Sequence, residues 1–297
     1  GGVGGFDSLV IEAGPISLAR FLADGPDAGT VILDGDRLRY AGLEPITLAD
    51  SVTDVVIEAT TGDNALVLEA DPLNSANLRL RATDGSIESV SFSRGAASIR
   101  IDMLDGDDTL EITSLGDGVL GSLTVNDTGD DDGDDIVQVT GTVALSGKDF
   151  DVEADTVTVS NTGVVSVRTI AAGGNLETAV STGASGNIRL SGKDVAVAAG
   201  AKLLSQDTRA GQASVTVSED ASAGTWLANT LGAKTTTGTW TAGLTHRLVG
   251  ATSTSDDGDG MVVDLVVDAA GAVTAVLVDA GKRSEEHTSE LQSRGLI

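Results

Sequence analysis

The stretch Asp127–Val152, DTGDDDGDDIVQVTGTVALSGKDFDV, shows how the chain is built. Six Asp fall in its first nine residues, and a strand-like run of Ile136, Val137, Val139, Val143 and Leu145 follows. Apolar residues two positions apart share one face of a strand. Both halves are echoed elsewhere. The turn-plus-strand half recurs as GDNALVLEA from Gly62 and GDDTLEITS from Gly106. The second half recurs more closely: VALSGKDFDV (Val143–Val152) and IRLSGKDVAV (Ile188–Val197) align over ten residues at an offset of 45. A turn-and-strand unit that returns in this way predicts stacked units burying one shared core.

Composition supports a chain of short strands. Gly numbers 38 and Pro 4 among 297 residues, while aromatic residues make up only 2%. The core must come from Val, Ile, Leu and Ala, since few rings are present to fill it. β-Branched residues and Gly dominate nearly every window, which disfavours helices. Strands are predicted at 8–12, 30–34, 37–40, 52–59, 65–69, 78–82, 87–92, 98–103, 109–113, 123–126 and 136–140, separated by polar turns. Asp34-Gly35-Asp36 reads as a tight hairpin turn, because Asp-Gly supplies the positive φ angles that such turns need.

The predicted class is therefore all-β. The 45-residue offset is read as two coils of roughly 20 residues, the length of a short structural repeat. Inward Val, Ile and Leu would then form ladders, with Asn, Gly and Asp at the corners of a parallel β-helix. A β-sandwich is the alternative.

Gly186–Gln206 (GNIRLSGKDVAVAAGAKLLSQ) and Ala213–Asp220 (ASVTVSED) resemble the repeats of filamentous-haemagglutinin-like adhesins and other large repetitive bacterial surface proteins. There, a strand pair of the form G-x-I-x-L-x-G-x-x-V-x-V precedes a Gly-Ala corner. The resemblance covers residues 123–220 and its motifs are loose. It implies a right-handed solenoid, secretion to the bacterial cell surface, and a non-enzymatic structural or adhesive role. Partners would be a glycan or protein of a host or cell surface, together with further repeats stacked in the parent chain.

On this reading residues 1–220 form solenoid repeats, and 221–282 a small, truncated C-terminal β domain holding both Trp (Trp226, Trp240) and His246. Met261–Lys282 reads as two alternating strands around 269–272. Arg283–Ser293, RSEEHTSELQS, resembles the in-frame translation of a sequencing adapter, and residues 283–297 are expected to be an artefactual tail of an interrupted fragment.

A net charge of −27 excludes a phosphate-binding surface for DNA or RNA. No apolar run reaches the ~20 residues of a membrane helix, so no membrane insertion is expected. With no Cys there is no disulfide or thiolate chemistry. Outside the tail, a Ser-His-Asp triad would have to run through His246, whose surroundings offer no nucleophile motif; no catalytic residue is assigned. The rival to the structural role is a fragment of a carbohydrate-active β-helix enzyme, recognisable by acids clustered with Arg or Lys in a groove.

The remaining candidate chemistry is calcium. Carboxylates crowded at a turn offer the hard oxygen ligands Ca²⁺ prefers, and a Ca²⁺-binding repeat module is a further alternative. The candidate ligands are Asp127, Asp130, Asp132 and Asp134, with Asp107 and Asp108 at the earlier turn. Both turns resemble half of a calcium β-roll repeat. They lack its leading Gly pair, and a 27-residue separation is too long for adjacent turns of a roll. Lys148 and Lys193 are expected to pair with the neighbouring Asp149 and Asp194.

Overall fold

In the computed structural model, residues 8–219 are described except for 13, 44, 50, 117–120, 127–132, 172–173, 175, 177–181, 199–200 and 206–213. Beyond 219 the described residues are the strands 245–251, 258–259, 261–267, 273–279 and 282–283, as backbone only. The fold is all-β, with no helix among the described residues.

Three sheets carry most of the described strands, and a fourth consists of two two-residue strands, Gly258–Asp259 and Lys282–Arg283. The first runs in parallel through Val52–Glu58, Ser98–Asp102, Ser122–Asn126, Phe150–Glu153, Ile188–Gly192 and Ser214–Glu219. The second runs in parallel through Ala65–Ala70, Thr109–Ile112, Ile136–Val139, Thr156–Val159 and Asp194–Val197. From residue 142 each pass also contributes to a third sheet, Thr142–Ala144, Val164–Ser166 and Lys202–Leu204. The chain thus visits the sheets in turn and returns one position further along.

Register follows the alternation, because a one-residue slip would turn every inward side chain to the other face. In the first sheet Val55, Ile99, Leu123, Phe150 and Ile188 are successive partners, as are Ile57, Ile101, Val125, Val152 and Leu190. In the second sheet Leu66, Leu110, Val137, Val157 and Val195 align. Leu68, Ile112, Val139, Val159 and Val197 form the row beside them. None of these twenty side chains is more than 6% exposed. Burying each contributes about 1.5–3 kcal/mol relative to exposure, so these rows dominate the core.

The 45-residue repeat does not set this register. Phe150 pairs with Ile188 and Val152 with Leu190, and Asp149 meets Asn187 across a separation of 38. The two LSGKD copies occupy different places. The first is the turn leading from Thr142–Ala144 into Phe150–Glu153, whereas Leu190–Gly192 of the second lies inside a first-sheet strand. Both are strand–turn–strand segments and so share letters, but the burial pattern decides which strands pair.

At the N-terminal side the pairing changes direction. Ile16–Gly25 joins the first sheet parallel to Val52–Glu58, and Ala28–Leu33 and Asp36–Ala41 extend it antiparallel. The last of these is an edge strand on which Asp36, Arg37 and Arg39 are all exposed, charges that discourage further strand addition. The predicted hairpin turn is present, with φ of 49° at Asp34 and 103° at Gly35. The Asp34 carboxylate also accepts from the Leu18 amide at 2.8 Å and the Ser17 amide at 3.1 Å. Ile16–Gly25, ten residues long, is not predicted by the sequence. Its buried residues Ile16, Ala19 and Phe21 break the period of two, and Leu18 faces outward.

Between Ala70 and Ser98 the chain makes an antiparallel excursion, Asn77–Ala82 and Val90–Ser93, that widens the second sheet. Ile46–Leu48 and Leu9–Ile11 then continue that sheet. At the other end Thr245–Ala251 pairs parallel to Ser214–Glu219, and the hairpin Met261–Val267 with Val273–Asp279 extends the same sheet. Arg283, first residue of the expected tail, pairs with Gly258.

Candidate functional site

The acidic corner between the first two sheets is built from rows of hydrogen bonds. As the chain leaves a first-sheet strand, its corner amides no longer point along a ladder and need acceptors. In the inner row, Asp108 accepts from the backbone and side-chain amides of Asn64 at 2.7 and 2.9 Å. The Asp108 amide donates to the Asp135 carboxylate at 2.8 Å, and the Asp135 amide to Asp155 at 3.1 Å. Lys193 forms an ion pair with Asp155 at the end of this row. An outer, exposed row runs in the opposite sense: the Asp107 amide donates to Asp63 at 3.1 Å and the Asp134 amide to Asp107 at 3.0 Å. Adjacent residues at one corner therefore bond to the passes on either side.

Of the predicted calcium ligands, Asp107, Asp108 and Asp134 lie in these rows, Asp108 fully buried and the other two exposed. Asp127, Asp130 and Asp132 lie outside the described residues. The 27-residue separation of the two turns, expected to keep them apart, instead places them side by side, because the strands that follow them, Thr109–Ile112 and Ile136–Val139, are parallel neighbours in the second sheet. Among the described residues no group of three or more His, Asp or Glu is arranged to hold a metal ion. The carboxylates at hand serve the backbone. The expected lysine pairing is also corrected. Lys193 reaches Asp155 of the preceding pass rather than Asp194, and Asp149 accepts from the Asn187 backbone and side chain.

The inner row yields a mutational prediction. Asp108→Ala removes the acceptor of the Asn64 amide, at a residue only 2% exposed. An orphaned buried donor costs about 1–3 kcal/mol, and urea unfolding is expected to show a loss of that size. Asp108→Asn presents the same carbonyl oxygen without charge beside Asp135 and is expected to retain wild-type stability at neutral pH. A loss equal to that of alanine would refute the capping role.

A second polar site lies on the excursion, where sequence reasoning singled out nothing. Thr47, Ser91, Arg79 and Glu69 are successive register partners across four strands. The inward neighbours Leu78 and Leu80 are fully buried, so this row occupies the outer face. The loop after Ala70 folds over that face and closes a cleft of about 310 Å³. Asp71, 7% exposed, accepts from Ser91 Oγ at 2.5 Å and from the Leu73 amide at 2.8 Å. Asn77 donates to Ser91 Oγ at 3.0 Å. Glu88, 6% exposed, accepts from the Ser89 amide at 2.8 Å. Asp71 follows the strand Ala65–Ala70 and Glu88 precedes the strand Val90–Ser93, and the antiparallel excursion brings both into the lining of one cleft; no local motif marks them.

Glu69 organises the cationic side. It accepts from Arg79 Nε at 3.0 Å and Arg81 Nε at 2.9 Å. Burial pushes its carboxyl up, but the bonds and charges of both arginines more than offset this and hold it below the ordinary value. Asp151 is opposite in sign. Burial pushes it up, Arg189 works against this, and Glu153 and Asp149 add to it. A depressed carboxyl stabilises the fold above its unfolded value, and that contribution is lost as pH falls through its folded value. A raised carboxyl destabilises at neutral pH and is relieved on acidification. Glu69→Gln is therefore expected to lower the urea midpoint at pH 7 and Asp151→Asn to raise it. Both differences should vanish at a pH below both carboxyl values, where each group is protonated in either state.

No protein family model, curated protein or solved structure matches the chain.

Proposed function

We propose that the chain is a structural and adhesive segment of a large bacterial surface protein, built as a parallel β-helix. The observation that carries this reading is the in-register parallel pairing of six first-sheet strands between Val52 and Glu219, with second-sheet strands in step beside them. Parallel strands about 4.8 Å apart make a rod that grows with each pass, and the spread of charge suits a solvated surface. The loose adhesin resemblance points the same way, and an extracellular location belongs to the same proposal.

Small-angle scattering of the full chain tests the rod. An asymmetric pair-distance distribution with a long tail is expected; a symmetric bell would overturn the solenoid. Calcium at the exposed corner acids belongs to the same proposal, and an unchanged melting midpoint in millimolar Ca²⁺ would sink it. The cleft with Asp71 and Glu88 favours one rival, a carbohydrate-active enzyme. Release of reducing ends or unsaturated products from a polysaccharide panel, lost in Glu88→Gln, would decide for it.

A further inference from the structure

The strongest unassigned feature is the cleft over the outer face of the second sheet. It lies in residues 45–91, outside the part of the chain that resembles adhesin repeats. From its lining we infer that it binds a single neutral sugar ring. The inference deepens the adhesive reading, for which a glycan partner is natural, but its chemistry rests on the cleft alone.

Charge is the first argument. Two nearly buried carboxylates, Asp71 and Glu88, lie within the lining, and its one cation, Arg79, is already engaged by Glu69. An anionic ligand such as phosphate or a uronate would be set against these two carboxylates with no further cationic residue in the lining. Hydrogen-bonding capacity is the second. Each Asp71 oxygen accepts one bond from the protein, and a carboxylate oxygen has a second lone pair to offer. Thr47, Ser89 and Asn74 add hydroxyl and amide groups around the same space. Carboxylates that accept from neighbouring hydroxyls, flanked by groups able both to donate and accept, match a polyhydroxylated ring.

Shape is the third. A volume near the lower end of the roughly 300–1,000 Å³ of small-molecule sites suits one ring rather than a buried oligomer. Pro45 lines the cleft, and Leu73, 87% exposed, is the most exposed large apolar side chain among the described residues. They offer the C–H face of a sugar an apolar surface where no aromatic ring is present. The anchoring is rigid: Asp71, Ser91 and Asn77 are tied in one bonded chain, so the acceptors are preorganised rather than gathered by the ligand.

The test is saturation-transfer NMR and calorimetry on the full chain. The probes are the methyl glycosides of mannose, galactose and N-acetylglucosamine, with putrescine and inorganic phosphate as charged comparators. At least one glycoside is expected to bind, with affinity reduced about tenfold, or 1.4 kcal/mol, in both Glu88→Gln and Leu73→Ala. Asp194→Ala, exposed on the second-sheet strand four positions beyond Ala65–Ala70, should bind as wild type. Urea midpoints establish that each variant is folded; Leu73→Ala, at an exposed position, keeps the test meaningful should Glu88→Gln unfold. Three results would overturn the inference: no glycoside binding, glycoside binding unaffected by either cleft variant, or binding of putrescine or phosphate alone. Scattering reads the rod separately, so a rod without sugar binding refutes the site and leaves the architecture standing.

Discussion

Phe150→Ala is expected to lower the free energy of unfolding by about 3–5 kcal/mol, the usual range for removing a buried aromatic side chain. Phe150 is fully buried and sits in the first-sheet row between Leu123 and Ile188. The space it vacates cannot be closed by shifting one strand, because each strand is hydrogen-bonded in register to those on both sides. The cavity therefore persists, and with it the full cost. Phe150→Leu retains most of the buried surface and should lose clearly less. Urea unfolding followed by circular dichroism reads both. A loss below about 1 kcal/mol for alanine, smaller than any ordinary large-to-small core change of this kind, would show that the row is not close-packed.

Gly133→Ala is expected to be the most damaging single-methyl change in the acidic corner. A Cβ on Gly133 would lie 2.0 Å from the carbonyl oxygen of Gly106 and 2.6 Å from its carbonyl carbon. Both atoms are backbone of the preceding pass, held by the Asp107–Asp134 and Asp108–Asp135 bonds that immediately follow. No side chain can rotate away, so the two passes must separate and their corner bonds lengthen. Overpacking of this kind costs about 1–3 kcal/mol or more, and the upper end is expected here. Gly62→Ala is the matched comparison, at the same corner two passes earlier, where a Cβ meets nothing within 4 Å. It should change stability by less than about 0.5 kcal/mol, as exposed substitutions usually do. Equal effects at the two glycines would show that contact between passes does not constrain the corner.

These two positions illustrate how far the sequence can be read. The aliphatic alternation identified the strands from Val52 to Val139, because burial of one face imposes a period of two wherever a strand lies over the core. The Asp-Gly turn at 34–35 was equally legible, since its positive φ angles depend on the two residues themselves. Ile16–Gly25 escaped because its buried side chains are not evenly spaced, and Ile46–Leu48 because three residues are too few for a pattern.

The corner acids were visible as a cluster, but their role was not. An Asp side chain reads the same whether it faces a cation or an amide of the next pass. Only the placement of residues 27 apart on adjacent passes shows that these carboxylates accept from backbone. The LSGKD repeat misled for a related reason: similar letters mark similar local units, whereas pairing is decided by which inward rows match and by loops of unequal length.

By itself, then, the sequence determined the class of structure, the strands over the core, the hairpin turn and the acidic surface, all of which follow from local propensity and burial of one face. The tertiary structure decided the register of 38 between Asp149 and Asn187, the reach of Lys193 to Asp155, and the meeting of Asp71 with Glu88 in one cleft. Each of these depends on distances across strands, and those distances are set by the packing of whole passes against one another.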